Sequence, residues 1–216
     1  MKKNLKVAVI GLGNIGKVVA TNLVRSKRPV ILAGRKSDDA KSFAKELGTL
    51  ATAAETNEAI KSADIVILAV WFNTITELLQ TYAGEFEGKI IIDPSNPIAP
   101  DENGGFKKII DAEKSAGQII ASLLPKNAKL VKALGTLGAG SLSGQSFRTP
   151  ERAVLFYATD DTSINNIVED LIEEAGFAGL RVGGLNQSIR IEVFGDLHEF
   201  GALGRIVTLS EARAKL

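Results

Sequence analysis

Residues 6–26 read "KVAVIGLGNIGKVVATNLVRS". The run Lys6–Ile10 is apolar after its lysine and suits a short buried strand. A glycine turn follows it. Beyond the turn Ile15, Val18, Val19 and Leu23 recur at helical spacing, which gives a helix one apolar face. Gly11-Leu12-Gly13-Asn14-Ile15-Gly16 fits G-x-G-x-x-G, and here the pattern follows a strand and opens an amphipathic helix, the context that gives it meaning. Gly11 permits the tight turn, Gly13 lets a pyrophosphate approach the backbone, and Gly16 lets the helix pack close to the sheet. The helix N-terminus adds free N–H groups and a partial positive charge. These residues point to dinucleotide binding; a glycine turn without a ligand would need no such ordering.

Working outward, the same unit repeats. Pro29 opens the strand "VILA". Ser37, Asp38 and Asp39 start a helix that runs through Phe43, Ala44 and Leu47 to Gly48. "TLATAA" is a weaker strand, and a short helix over 55–62 leads to "DIVILAV", the clearest buried strand in the chain. A helix over 74–82 and the strand "KIIID" complete the series, which "PSNPIAP" breaks. The strands are continuous apolar runs, the mark of a parallel sheet covered on both faces. Residues 106–124 read as a helix stopping at Pro125, "KLVKAL" as a sixth strand, and "TLGAGSLSGQSFRTP" as a mobile loop near a ligand. "RAVLFYA" is a strand, "DDTSINNIVEDLIEEAG" a helix, "LRVGGL" a last short strand, and the tail is mostly helical. The expected fold class is α/β: a Rossmann-type, doubly wound, mainly parallel sheet flanked by helices, with a small C-terminal α/β extension. Residues 1–140 form the dinucleotide-binding domain. Residues 141–216 pack on the same sheet and complete the acceptor site.

Composition excludes several functions. The 216 residues carry 26 basic and 25 acidic side chains, a net charge of +1, so neither nucleic acid nor anionic membrane is an expected partner. There is no cysteine and one histidine, His198, so neither thiolate nor multi-histidine metal sites can form, and no metal is expected. The lysine-led start resembles a leader, but Gly11, Gly13, Gly16 and Lys17 interrupt its apolar run. No stretch has the length of a membrane span. The expected compartment is the cytoplasm.

The second strand runs into Gly34-Arg35-Lys36-Ser37. An NAD-preferring site places an acid there to hold the ribose 2′-OH. An arginine fork instead accepts a 2′-phosphate through charge-assisted hydrogen bonds. Gly34 leaves room for the adenosine. The expected cofactor is therefore NADP(H), against the alternative of a solvated pair on a surface turn. Trp71 sits at the end of one buried strand, where it walls the cofactor or packs in the core. Asn96 sits at the end of another, where it bonds the nicotinamide carboxamide or serves the turn.

In order along the chain, "VAVIGLGNIG", "AGRK", "SADIVILAV", "IIIDPSNPI", "SAGQIIASLLPKNAKLVKAL" and "VGGLNQ" resemble the coenzyme F-420-dependent NADP oxidoreductases, whose fold also forms the reductase domain of the STEAP metalloreductases. The resemblance implies NADPH as cofactor and hydride transfer to a flat acceptor, with a flavin or coenzyme F-420 as co-substrate. It carries over Leu12, Asn14, Ile15, Arg35, Lys36, Ala69, Val70 and Pro97 as cofactor contacts. The tail segment "GALGRI", with Leu203, is similar to one that closes over the deazaflavin. After "VKAL" the family has a polar residue before the threonine; here it is Gly135. That departure leaves the cofactor reading intact and bears on the identity of the acceptor.

Hydride transfer to a flavin or deazaflavin is a positioning task. A carbonyl reductase also needs a proton donor. The Tyr-x-x-x-Lys pair is absent, since Tyr82 and Tyr157 are followed four residues later by Phe86 and Asp161. His198 is a weak candidate donor; a packed helix histidine is the plainer reading, with Asp196 and Glu199 solvated beside it. The acceptor pocket is expected at Gly135, Thr136, Leu137, Gly138 and Leu203, where Gly135 and Gly138 remove bulk for a planar ring. Two further readings stay open: an NADP-binding sensor without turnover, and a reductase of a small imine or carbonyl using His198 or a serine of the 141–146 segment. Apolar residues at helical spacing after Asn186 point to a homodimer.

Overall fold

The computed structural model describes residues 5–215. Most of the lysine-led start weighed above as a leader lies outside the described residues. The first half alternates as the apolar runs require: β1 (Val7–Ile10), α1 (Asn14–Arg25), β2 (Val30–Ala33), α2 (Ser37–Leu47), β3 (Ala51–Ala53), α3 (Thr56–Ser62), β4 (Ile65–Leu68), α4 (Phe72–Thr81) and β5 (Ile90–Asp93). A hairpin of β6 (Ile98–Pro100) and β7 (Phe106–Lys108) comes next, then α5 (Ala116–Ala121), β8 (Lys129–Lys132), α6 (Ala139–Gly144), β9 (Val154–Ala158), α7 (Asn165–Glu174), β10 (Ala178–Gly183) and α8 (Leu209–Arg213).

Eight strands share one sheet in the order β10-β9-β8-β5-β4-β1-β2-β3. The six from β3 to β8 are parallel. β9 meets β8 antiparallel through Ala158 and Lys132, and β10 runs parallel to β9. This is a doubly wound, mainly parallel sheet with added C-terminal elements. The chain order reverses at β1, between β4 and β2, and so opens a crevice at the carboxyl ends of the strands.

Alternate residues of each strand feed opposite faces. Val7 and Val9, Ile65 and Ile67, Ile90 and Ile92 pack with Val19 and Leu23 of α1, Phe43 of α2 and Leu171 of α7. Ala8 and Ile10, Val66 and Leu68, and Ile91 pack with Ile60 of α3, Ile75 and Leu79 of α4, and Ile120 of α5. Both faces are therefore dry, which is why the strands read as unbroken apolar runs. Each fully buried aliphatic side chain contributes about 1.5–3 kcal/mol.

Three expectations need correction. Residues 106–124 are not one helix: Phe106–Lys108 pairs antiparallel with Ile98–Pro100, and only Ala116–Ala121 is helical. The cause is a local turn in which Asp101 Oδ1 accepts the N–H groups of Asn103 and Gly105, at 2.7 and 2.9 Å, with Gly104 at φ +79°. The segment read as a mobile loop contains α6, whose Leu142 is buried in the core beside α1. The tail is not mostly helical. Leu185–Arg190 is a 3-10 turn, and the chain winds irregularly before α8. Its apolar residues Ile191, Leu197 and Val207 pack on Val154 and Phe156 of β9. Gly201 makes the winding feasible, because a Cβ there would stand 1.8 Å from the carbonyl oxygen of Gly195.

Candidate functional site

The turns after β1, β2, β4, β5 and β8 all leave the sheet at the same edge, and five segments meet there. Gly11, at φ +95°, donates its N–H to Ala33 O at 2.8 Å, which ties the first turn to the end of β2. A Cβ on Gly11 would lie 2.4 Å from Ala69 O, and one on Gly16 1.9 Å from Gly11 O. These two glycines are required by the protein's own packing. Gly13 differs: a Cβ there meets nothing within 4 Å. Gly34 is also undemanding, touching only the Leu12 side chain at 3.6 Å. Helix α1 begins at Asn14 with no acidic residue in its first turn, and Ile15 anchors that turn to the core. Its free N–H groups therefore face solvent beside a backbone that a phosphate can approach.

The Arg35 and Lys36 side chains are exposed just after β2 and make no hydrogen bond or ion pair among the described residues, while the Lys36 carbonyl accepts from Ala40 N at 3.3 Å. Asp38 and Asp39 lie in the first turn of α2, where negative charge suits the helix dipole. Ala69 and Val70 close the crevice behind Gly11. Trp71, at the N-cap of α4, is 58% exposed, so it is not a core residue.

The turns after β5 and β8 are locked together. Asn96 Nδ2 donates to Gly135 O at 3.3 Å, and Asn96 Oδ1 accepts from Val193 N at 2.7 Å. His198 is 1% exposed. Its Nδ1 accepts from Phe200 N at 3.0 Å, which leaves the proton on Nε2 to donate to Gly135 O at 3.0 Å. Burial pushes its pKa below the usual value, and nearby Lys132 acts in the same direction. Both ring nitrogens thus serve the backbone. Glu199 is not solvated as expected: its carboxylate accepts the Gly138 N–H and its own N–H donates to Thr136 O. Asp196 pairs with Arg190 at 2.8 Å.

Gly135 does not open space for a ligand. A Cβ there would stand 2.3 Å from Pro94 O, so its small size serves the approach of the two turns. Thr136 and Leu137 are buried, Leu137 within the core, and Gly138 lies against the Phe200 ring. Pro97 is buried, with its carbonyl accepting from Ile109 N at 2.8 Å. Leu203 packs under β9. Two buried hydroxyls at these turns, Ser95 Oγ and Thr136 Oγ1, have no hydrogen-bond partner among the described residues.

Sequence reasoning missed Lys132 and Asp93. Lys132 is 2% and Asp93 0% exposed, and they pair at 2.8 Å at the carboxyl ends of the interior strands β8 and β5. The signal was available, because Lys132 occupies the same strand phase as buried Leu130. The tail carboxylate of Glu192 was missed as well. It is buried and accepts the N–H groups of Ala116 and Gly117 at the start of α5, both at 3.0 Å.

Residues 6–97 match the family described as "NADP oxidoreductase coenzyme F420-dependent". Over these residues, from β1 to the turn after β5, the chain is similar to that family. Metalloreductase STEAP3 of Rattus norvegicus is 28% identical over 191 residues, covering 88% of this chain and 36% of that protein. The chain thus spans about a third of that relative's length. Among solved structures, the hypothetical protein SMa0349 from Sinorhizobium meliloti superposes with a TM-score of 0.81 at 27% identity, covering 94% of this chain and 95% of that one. A putative F420-dependent NADP-reductase from Arthrobacter sp. FB24 has a TM-score of 0.74 at 21% identity over 85% and 87% of the two chains, a likeness of fold. The matched family is described as one of NADP oxidoreductases, and the likeness to the solved structures is one of a Rossmann-type fold. No helix among the described residues is long and apolar enough to cross a membrane.

Proposed function

We propose that this protein transfers a hydride between NADPH and a flat, flavin-like acceptor, either a flavin or the deazaflavin coenzyme F-420. The Gly11–Gly16 turn and the N-terminus of α1 take the pyrophosphate, Arg35 and Lys36 take the 2′-phosphate, and the nicotinamide lies along Ala69, Val70 and the Asn96–Pro97 turn. Residues 135–138 and the tail around Leu203 border the acceptor. The chain after residue 140 belongs to that acceptor side. The likeness to the F420-dependent family over residues 6–97 and to the Arthrobacter protein supports this acceptor class.

One observation carries the choice of acceptor. The ionisable side chains around the two locked turns already have partners: Lys132 with Asp93, His198 with Gly135 and Phe200, Glu199 with Gly138. Reduction of a carbonyl or imine calls for a positioned acid. A deazaflavin or flavin accepts the hydride into a delocalised ring and takes its proton from water, so positioning suffices. Tyr157 is no substitute, because burial and its hydrogen bond to Glu169 push its phenol pKa up.

The test is NADPH oxidation under anaerobic conditions with riboflavin, FMN, coenzyme F-420, a cyclic imine and a ketone as acceptors. The proposal expects turnover with a flavin or with F-420 and none with the last two. Turnover with the imine or ketone alone would overturn it, and NADPH binding without turnover would favour a sensor.

A further inference from the structure

We propose that the buried Asp93–Lys132 pair is a positioning device for hydride transfer, holding the Pro94–Pro97 turn rigid beside the nicotinamide. This rests on the reading of that crevice given above. The two residues face one another directly across β5 and β8, with the Lys132 Nζ 2.8 Å from Asp93 Oδ2. Removing both charges from water is costly, and an apolar pair of similar volume is often as stable or more so. Stability alone does not explain why an ion pair occupies this place.

The contacts supply another reason. Lys132 Nζ also donates to Ser95 O, and the second oxygen of Asp93 accepts Ser95 N–H at 2.7 Å. The pair therefore grips the peptide groups on both sides of Ser95. The next residues are tied as well: Asn96 O accepts from Ile98 N at 2.9 Å, and the Asn96 side chain bridges Gly135 and Val193. The Asp93 carbonyl accepts from Ala133 N at 3.2 Å. From Asp93 to Pro97 the backbone is held by bonds to β8, the hairpin and the tail. Lys132 is sealed from solvent with two acceptors on its ammonium, so it is a positioning residue and not a proton donor. Hydride transfer is sensitive to such positioning, and a misplacement of about 1 Å can cost on the order of a hundredfold in rate.

The test is the paired replacement Asp93→Asn with Lys132→Met, which keeps volume and removes both charges. The expected result is a protein that stays folded at the assay temperature, with a melting temperature a few degrees lower because Ser95 O loses its donor, and an NADPH dissociation constant within about threefold. The kcat for the flavin or deazaflavin acceptor should fall at least about tenfold. The primary deuterium isotope effect from 4-deuterated NADPH should rise, because transfer itself becomes slower. An unchanged kcat, or a loss of kcat matched by a loss of NADPH binding, overturns the proposal. If the variant does not fold, amide exchange on the wild type decides. The Ser95 N–H, held by Asp93 at 2.7 Å, should exchange at least about a hundredfold slower than the exposed 102–105 turn, and equal rates would refute the grip. If no acceptor oxidises NADPH, the functional reading fails while the exchange experiment still tests the pair.

Discussion

Gly13→Ala separates the three glycines of the nucleotide turn by physical role. Gly13 has φ −79° and ψ −162°, a conformation alanine adopts without strain, and its notional Cβ meets no protein atom within 4 Å. The alanine restricts the unfolded chain, a gain of about 0.4–1 kcal/mol. It also replaces a cap-favouring glycine at the N-cap of α1, a loss of about 0.5–1 kcal/mol. The two nearly cancel, so the melting temperature should move by less than about 3 °C in a chain of this size. The methyl nevertheless fills the space a pyrophosphate needs. An intrusion of that kind costs about 1–3 kcal/mol, or roughly 5- to 150-fold in NADPH affinity. Gly16→Ala should behave in the opposite way, since its Cβ would lie 1.9 Å from the backbone oxygen of Gly11 and the turn itself must yield. Thermal unfolding of the apoprotein and an NADPH fluorescence titration measure the two effects separately. A Gly13→Ala protein that binds NADPH as well as wild type, or that melts several degrees lower, would refute the assignment of that open space to the phosphates.

Further outcomes follow from the same geometry. Arg35→Ala should weaken NADPH binding by about 1.5–3 kcal/mol, roughly 10- to 150-fold, with NADH affinity and melting temperature unchanged; calorimetric titration with both cofactors checks this. His198 is the sole histidine and is neutral in the fold, with its pKa below the unfolded value near 6.5. The unfolded chain therefore binds the proton first on acidification, so stability is full above about pH 6.5 and falls as pH drops below it. Melting curves from pH 8 to 5 should show that decline, and His198→Asn should flatten it. Phe194 is 54% exposed and sits at φ +72°, a conformation that costs a non-glycine residue about 1–2 kcal/mol. Phe194→Gly loses about 0.5–1 kcal/mol to chain entropy, so denaturant titration should show equal or slightly greater stability.

The first half of the fold was legible because its information is local. Strands buried on two faces read as apolar runs, Ile15 to Leu23 set the helical phase of α1, and the spacing of Gly11, Gly13 and Gly16 marks a backbone that something must approach. The tail was illegible because its shape comes from distant partners. Glu192 caps a helix 75 residues earlier, Asn96 reaches 97 residues ahead to Val193, and His198 bonds a carbonyl 63 residues back. Helical periodicity in that segment describes packing on β9, not a helix. Gly135 shows a related limit. A missing side chain can be seen in a sequence, but whether ligand or neighbouring backbone takes its place depends on where Pro94 lies. Lys132 and Asp93 fell between the two cases: their inward phase could be read from alternation with Leu130 and Ile91, but their joint hold on Ser95 required the register of β5 against β8.

Direct hydride transfer from NADPH to a planar acceptor at the β5 and β8 turns would leave an isotopic trace on the product. The most direct measurement is an anaerobic single turnover of 4-deuterated NADPH, both stereoisomers in separate reactions, with coenzyme F-420, followed by mass spectrometry of the reduced deazaflavin. Carbon 5 of a deazaflavin retains what it receives. The account predicts one deuterium on that carbon from one stereoisomer and none from the other. Reduced deazaflavin without deuterium from either isomer, or no reduction alongside deuterium delivered to an imine or carbonyl carbon, would contradict it.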